Sequence, residues 1–295
     1  MGSNGRVNGR SNGRKQSMAR VVMVSGGMAS YEAARRVVRR YRKRNVHLWF
    51  ADTKMEDEDL YRFLDDIEER LGVPIERMAE GRTPWEVFQD ERFIGNSRID
   101  PCSKILKRRF LRQQLRERFP DQPVTVYLGF DWMEEHRARA ARPIWESQGY
   151  SVEFPLTWEP MLFPEDYPKM LSRHGLTPPR LYELGFPHNN CGGACVKAGI
   201  RQWALLWKTL PERYLEHEVK EEELRQYLDK DVAILRDRRG GKSRPLTLQA
   251  LRERLEKEVN KNGKDQLEVI NSLPDDGACS CFAPINKETE LALTH

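Results

Sequence analysis

The sequence predicts an α/β protein: a parallel sheet with helices on both faces, a three-layer α/β/α sandwich. Two observations carry this. Short apolar runs of strand length alternate with segments whose apolar residues recur at helical spacing. The strand runs are apolar throughout, as expected of strands buried on both faces. A third observation agrees with them. Polar and glycine-rich candidates for ligand contact fall after Val24, Phe50 and Leu128, at the carboxyl ends of three such strands, where open α/β sheets bind ligands.

Residues 1–18 are rich in Gly, Asn, Ser and Arg, with Asn-Gly-Arg at 4–6, 8–10 and 12–14. They hold too little apolar surface to offset the entropy of ordering and read as a disordered tail. Arg20-Val21-Val22-Met23-Val24 is the first strand. A Ser-Gly-Gly turn leads into a helix with Ala33, Ala34, Val37, Val38 and Tyr41 on one face and arginines on the other. Val46–Phe50 is the second strand, and Ala51-Asp52-Thr53 ends it. The next helix carries Leu60, Leu64, Ile67 and Leu71 and stops at Gly72.

A third strand is expected over 73–78. Thr83-Pro84-Trp85-Glu86 has the capping-box pattern, with proline at the first helical position. A basic helix over 103–118 keeps Leu106, Phe110 and Leu115 for the core. Val124–Leu128 is the fourth strand, a helix is expected over 137–148, and a fifth strand over 151–154. Residues 156–200, with many Pro and Gly, read as an irregular lobe over the site. Residues 203–258 read as mainly helical, interrupted near Gly240-Gly241, and the last 25 as loop. The expected division is a tail (1–18), a nucleotide-binding domain with its cysteine lobe (19–202), and a helical extension with a cysteine tail (203–295).

Of 295 residues, 39% are hydrophobic and 32% charged, with a net charge of +5. That is enough apolar residue for a core, and too small a charge excess to indicate nucleic-acid binding by itself. The basic runs at 35–44 and 104–118 fit either an anionic ligand or solvated helix faces. No run approaches the ~20 apolar residues of a membrane span, and the N-terminus lacks the apolar segment of a secretory signal. A cytoplasmic location is the resulting expectation. The five cysteines are then expected to be thiols, metal ligands or catalytic groups rather than structural disulfides.

Ser25-Gly26-Gly27-Met28-Ala29-Ser30, between a strand and a helix, has the makings of a phosphate cradle. Glycine lets the backbone approach the ligand, and helix-start N–H groups and the helix dipole favour an anion. Ser25 and Ser30 offer hydroxyl donors. The loop is neither a Walker A nor a Gly-x-Gly-x-x-Gly motif.

The loop resembles the PP-loop Ser-Gly-Gly-x-Asp-Ser of the adenine-nucleotide α-hydrolase superfamily, which has the HUP-like fold. Ala29 stands where that motif has Asp, so a carboxylate that helps organise Mg2+ is missing. Further segments resemble the phosphoadenylyl-sulfate (PAPS) reductase family in content and order. These are Pro101-Cys102-Ser103-Lys104 with Lys107, Gly129-Phe130-Asp131 with Glu134 and Arg137, Pro155-Leu156-Thr157-Trp158, Pro179-Arg180-Leu181-Tyr182 through Gly185-Phe186, and Cys191-Gly192-Gly193-Ala194-Cys195.

The resemblance implies an enzyme binding ATP or PAPS. Ser25, Gly26, Gly27, Ser30, Asp52, Lys107, Gly129 and Arg137 are its expected nucleotide contacts, with Asp52 open to a second reading as the cap of the following helix. It leaves two reactions open: reduction of an adenylyl sulfate with a thiol carrier protein, and adenylation-dependent sulfur transfer. In cluster-containing relatives, cysteines at the places of Cys102, Cys191 and Cys195 ligate an iron–sulfur cluster. This chain departs from them, with one cysteine at 102 rather than two and Cys-x-x-x-Cys rather than Cys-x-x-Cys. A [4Fe-4S] cluster, zinc and unligated thiols therefore remain as alternatives. Cys279 and Cys281 are the expected catalytic thiols, one attacking the activated sulfur and one resolving the intermediate; the alternatives are that one of them completes the cluster or that both are inert tail thiols. The family's Glu-Cys-Gly context is absent there. Two competing readings are a nucleic-acid-associated binding module, using the basic tail and helices, and a structural zinc protein without nucleotide chemistry.

Overall fold

The structure is a computed structural model and describes residues 17–274. Five strands form one parallel sheet: β1 (Ala19–Met23), β2 (Val46–Asp52), β3 (Ile75–Ala79), β4 (Val124–Tyr127) and β5 (Ser151–Glu153). Their spatial order is β3-β2-β1-β4-β5. This is the Rossmann-like arrangement of the HUP fold. β1 lies at the centre, with Val22 opposite Leu48 on one side and Tyr127 on the other.

The period-2 geometry of β1 sends its apolar residues to both faces. Val22 and Val24 join a core with Leu48 and Phe50 beneath α1 (Met28–Tyr41), α2 (Glu58–Leu71) and α6 (Asp166–Arg173). Val21 and Met23 join the opposite core with Trp49, beneath α4 (Phe110–Arg118) and α5 (Glu135–Glu146). Both faces are covered, so the inner strands β1, β2 and β4 are largely buried without alternation, whereas the edge strands expose residues of β3 and β5 such as Arg77 and Ser151.

Local chemistry sets the helix ends. α2 buries Leu60, Leu64, Ile67 and Leu71 and ends at Gly72, whose φ of 59° is left-handed. α3 (Pro84–Asp90) starts on the expected capping box. The Glu86 amide donates to Thr83 Oγ1 at 3.3 Å, and the Thr83 amide donates to Glu86 Oε2 at 2.6 Å.

Three details differ from the sequence reading. The third strand starts two residues later than expected. The basic helix over 103–118 is not uniform: Ser103–Arg109 is π-helical and only Phe110–Arg118 is α-helical. Such widened turns are frequent at functional sites, and this one buries the Lys107 side chain. The irregular lobe contains α6 and a short α7 (Arg180–Glu183).

The C-terminal region comprises α8 (Ile200–Thr209), α9 (Pro211–Leu228), an antiparallel hairpin, α10 (Leu248–Asn262) and α11 (Gln266–Asn271). The hairpin joins β6 (Leu235–Asp237) to β7 (Arg244–Leu246) around Gly240 and Gly241, where the sequence shows only an interruption. A third core unites this region with the cysteine lobe: Cys102, Cys191 and Cys195 share it with Trp203, Tyr214, Leu251 and Leu255. It runs across residues 202 and 203, where the sequence suggests a division. Among the described residues, no helix is long and apolar enough to cross a membrane.

Glu221 on α9 is buried and accepts the Ile234 amide at 2.9 Å and the Leu248 amide at 2.6 Å, joining the hairpin and α10 to α9. Burial pushes its carboxyl up to about 7, against the opposing effect of those two N–H donors. A raised carboxyl means that the folded state holds its proton longer than the unfolded one. The Glu221 contribution to stability is therefore largest below the unfolded value of about 4.3 and declines as pH rises through about 7. In urea titrations, the stability difference between the protein and Glu221→Gln is expected to change between pH 5 and pH 8 in that direction, and to be flat above pH 8.

Candidate active site

The loop after β1 is shaped as a cradle by two glycines. Gly26 has φ +77°, and a Cβ there would lie 2.6 Å from Leu60 Cγ. A Cβ on Gly27 would lie 2.9 Å from the Tyr182 hydroxyl. Gly27 is the N-cap of α1, with no side-chain capping bond and no acid in the first turn. The positive end of the helix dipole is thus left without a built-in counter-charge.

A cavity of about 380 Å3 opens on this loop. Ser25, Gly27, Ser30, Lys107, Gly129 and Arg137 line it, so six of the eight expected nucleotide contacts meet in one place. Gly26 belongs to the same loop but is not among the lining residues. Ser30 differs from its expected role, because its hydroxyl donates to the Gly27 carbonyl at 2.8 Å and so shapes the loop. Asp52 is not among the lining residues. Its carboxylate accepts the Tyr61 hydroxyl at 2.9 Å and the Lys54 amide at 2.7 Å, closing the turn after β2.

Two cationic side chains face the cavity. Arg137 lies 4.4 Å over the Phe130 ring and is paired with Glu134. Its Nε is buried without a hydrogen-bond partner. Lys107 is 4% exposed, and its ammonium is 3.4 Å from Glu56 Oε1.

Glu56 opens the acidic run Glu56-Asp57-Glu58-Asp59 just before α2, a pattern that carries no sign of burial. Its side chain is 1% exposed. Oε1 also accepts the Thr53 hydroxyl at 2.9 Å, and Oε2 accepts the Cys191 amide at 2.5 Å. Asp57 is wholly buried. It accepts two bonds from Arg180, at 2.8 and 2.9 Å, and one from Arg213 at 2.7 Å, while capping α2 through the Asp59 amide. Burial alone would raise the Asp57 carboxyl, but the Arg180, Arg213 and Asp59 donors outweigh it and hold it below the usual carboxylate range.

These bonds fasten the cysteine lobe. Arg213 also donates to the Gly192 carbonyl at 2.7 Å. Cys191, Gly192 and Gly193 all have positive φ, at 50°, 58° and 88°. A Cβ at Gly192 would approach Arg213 Nη1 to 2.9 Å, and one at Gly193 would approach Phe186 Cε1 to 2.8 Å. The Cys-Gly-Gly turn therefore needs both glycines. From the same lobe, Tyr182 Oη accepts the Met28 amide at 3.4 Å and Asn189 Nδ2 donates to the Gly26 carbonyl at 2.8 Å. The Pro155-Leu156-Thr157-Trp158 segment has a structural explanation. Arg36, held by buried Glu32 at 2.7 Å, donates to the carbonyls of Pro155, Trp158 and Pro160.

Cys102, Cys191 and Cys195 are buried, unbridged thiols of one core. Burial pushes the Cys102 thiol up, and the neighbouring Cys191 and Asp100 add to the shift. Among the described residues, no three His, Cys, Asp or Glu side chains converge closely enough to hold a metal ion. Cys279 and Cys281 lie outside the described residues.

The family model of the phosphoadenosine phosphosulfate reductase domain matches residues 19–191, from β1 through the first cysteine of the lobe. The chain belongs to the PAPS reductase family. No curated protein matches the chain. Among solved structures, it is similar to a phosphate complex of PAPS reductase from Candida auris, at 13% identity over 57% of this chain and 78% of that one, with a TM-score of 0.39. It is also similar to the U34-tRNA thiolase NcsA from Methanococcus maripaludis with its [4Fe-4S] cluster, at 14% identity over 74% and 75%, with a TM-score of 0.37. A third is a predicted tRNA methyltransferase subunit from Methanocaldococcus jannaschii, at 12% over 55% and 90%, with a TM-score of 0.30. In this PAPS reductase-family chain, the matched region holds the whole cradle and ends where the lobe is pinned to Glu56.

Replacing Asp57 by Asn strands two guanidinium groups and loosens the lobe. The expected loss is about 3 kcal/mol of unfolding free energy, on the scale of breaking a buried ion pair, measured by urea denaturation at pH 7. Because the Asp57 carboxyl is depressed in the folded state, its contribution is present above the unfolded value and is lost as pH falls through the folded one. The gap between protein and variant should narrow on acidification below about pH 4.

Proposed function

We propose that this protein binds an adenine nucleotide in the cradle at Ser25–Ser30 and carries out sulfur chemistry on it, with reduction of an adenylyl sulfate favoured over ATP-dependent sulfur transfer. The observation that carries the reading is the meeting of a glycine-shaped helix N-terminus with Lys107 and Arg137 in one cavity. Amide donors at the helix start and a planar guanidinium both suit phosphate and sulfate oxygens.

The carboxylates favour the reductive branch. Ala29 supplies none. Asp131 lines the cavity but accepts the Met133 and Glu134 amides at 2.9 and 3.1 Å. Glu134 is paired with Arg137. Both lining carboxylates already carry bonds, Asp131 through Oδ1 and Glu134 through Oε1, and Ala29 adds none, so few carboxylate oxygens remain for Mg2+ and MgATP is the less suited ligand. The described cysteines do not by themselves fit a metal cluster either.

In the proposed reaction, the thiolate of one tail cysteine, Cys281 or Cys279, attacks the sulfur of the adenylyl sulfate. The new S–S bond forms as the bond from sulfur to the phosphate oxygen breaks. The nucleotide leaves with the electron pair, while Arg137 and the loop amides hold its phosphate. A second thiolate then attacks the sulfocysteine, releasing sulfite and leaving a disulfide, which a dithiol carrier protein reduces. The second thiolate is the other tail cysteine or a thiol of the carrier.

Isothermal titration with PAPS, adenylyl sulfate and ATP, each with and without Mg2+, tests binding. Saturable binding of a sulfonucleotide without Mg2+ is expected. Gly27→Val should abolish it, and Arg137→Ala should weaken it on the order of 10- to 100-fold. Incubation with labelled nucleotide and a reduced dithiol carrier should yield sulfite. Release of pyrophosphate from ATP without sulfite would move the assignment to sulfur transfer, and binding of none of the three nucleotides would refute the reading.

A further inference from the structure

Resting on the nucleotide reading above, we infer that Asn189 is a specificity-determining residue. Its side-chain oxygen receives a hydrogen bond from a donor on the nucleoside, either a ribose hydroxyl or the exocyclic amine of adenine. Asn189 lines the nucleotide cavity and is 2% exposed. Its amide orientation follows from its partner: the Gly26 carbonyl, 2.8 Å away, accepts only, so the group facing it is Nδ2–H2. That leaves Oδ1 pointing away from Gly26 as an acceptor, and it is buried without a hydrogen-bond partner. A buried acceptor in this condition is costly unless a ligand supplies the missing donor.

The chemistry of the missing partner is narrow. Phosphate and sulfate oxygens of a nucleotide are acceptors at neutral pH and cannot satisfy Oδ1. The hydrogen-bond donors of an adenine nucleotide at neutral pH are its ribose hydroxyls and the N6 amine. Two unpartnered buried atoms therefore belong to side chains lining the cavity among the described residues, and they are opposite in kind. Arg137 Nε is a donor suited to a phosphate or sulfate oxygen, and Asn189 Oδ1 is an acceptor suited to the nucleoside. The pair matches the two ends of one ligand. Asn189 also stands two residues before Cys191 and is bonded to the phosphate loop, so recognition of the nucleoside and placement of the cysteine lobe act through the same side chain.

The test is a set of titrations of the full-length protein with AMP, 2′-deoxy-AMP, 3′-deoxy-AMP and N6,N6-dimethyl-AMP. The protein is expected to bind one of the three analogues about tenfold more weakly than AMP, and which one identifies the donor. In Asn189→Ala, loss of the tie to Gly26 weakens every ligand alike and cancels in the ratio, so the tenfold difference should disappear. Asn189→Asp keeps an oxygen acceptor and loses the Gly26 tie, so it should bind all four more weakly while retaining the difference. Equal affinity of the unaltered protein for all four ligands overturns the inference without reference to any variant. So does an analogue penalty that survives in Asn189→Ala. No binding of AMP, PAPS or adenylyl sulfate refutes the nucleotide reading itself, and the inference with it.

Discussion

Two adjacent buried carboxylates, Glu56 and Asp57, decide how the rest of the molecule is arranged. A carboxylate out of water is tolerated only when its oxygens are satisfied by charged or strongly polar donors. The donors here come from distant parts of the chain. Lys107 and the Cys191 amide serve Glu56, and Arg180 and Arg213 serve Asp57. Satisfying both residues brings the π-helical segment, the cysteine turn, the 178–186 segment and α9 onto the turn after β2. The site is assembled by that requirement.

The cradle depends on the same closure. Gly26 and Gly27 give the loop its shape, but Asn189 and Tyr182 reach it from the lobe that Asp57 holds. The glycine loop and the cysteine turn are therefore joined through a few short contacts. The third core reinforces this, because the aromatic and aliphatic side chains of α8, α9 and α10 pack around the same buried thiols.

Much of this was legible in the chain. The strand–loop–helix at 20–41, the cap at Thr83 and the stop at Gly72 each follow from local chemistry that a sequence displays directly. Ser25, Gly27, Ser30, Lys107, Gly129 and Arg137 were all identifiable, and all line one cavity. Asp52 was misleading because a carboxylate after a strand serves equally well as a turn cap, and Tyr61, nine residues on, claims it here. Glu56 and Asp57 were hidden because an acidic run at a helix start has the same appearance whether solvated or buried. The π-helical segment was hidden too, since its apolar residues, Ile105 and Leu106, are adjacent and define no period.

The alternation of buried strands and amphipathic helices, hence the parallel sheet, and the glycine loop after β1 can be read directly from the residues, because these depend on periodicity and on conformations only glycine adopts cheaply. Which charged residues are buried, and what they hold, emerges once the chain has folded. Ion pairing between residues 51 to 156 positions apart leaves no periodic trace in the chain. It arises when folding removes water from both partners at once.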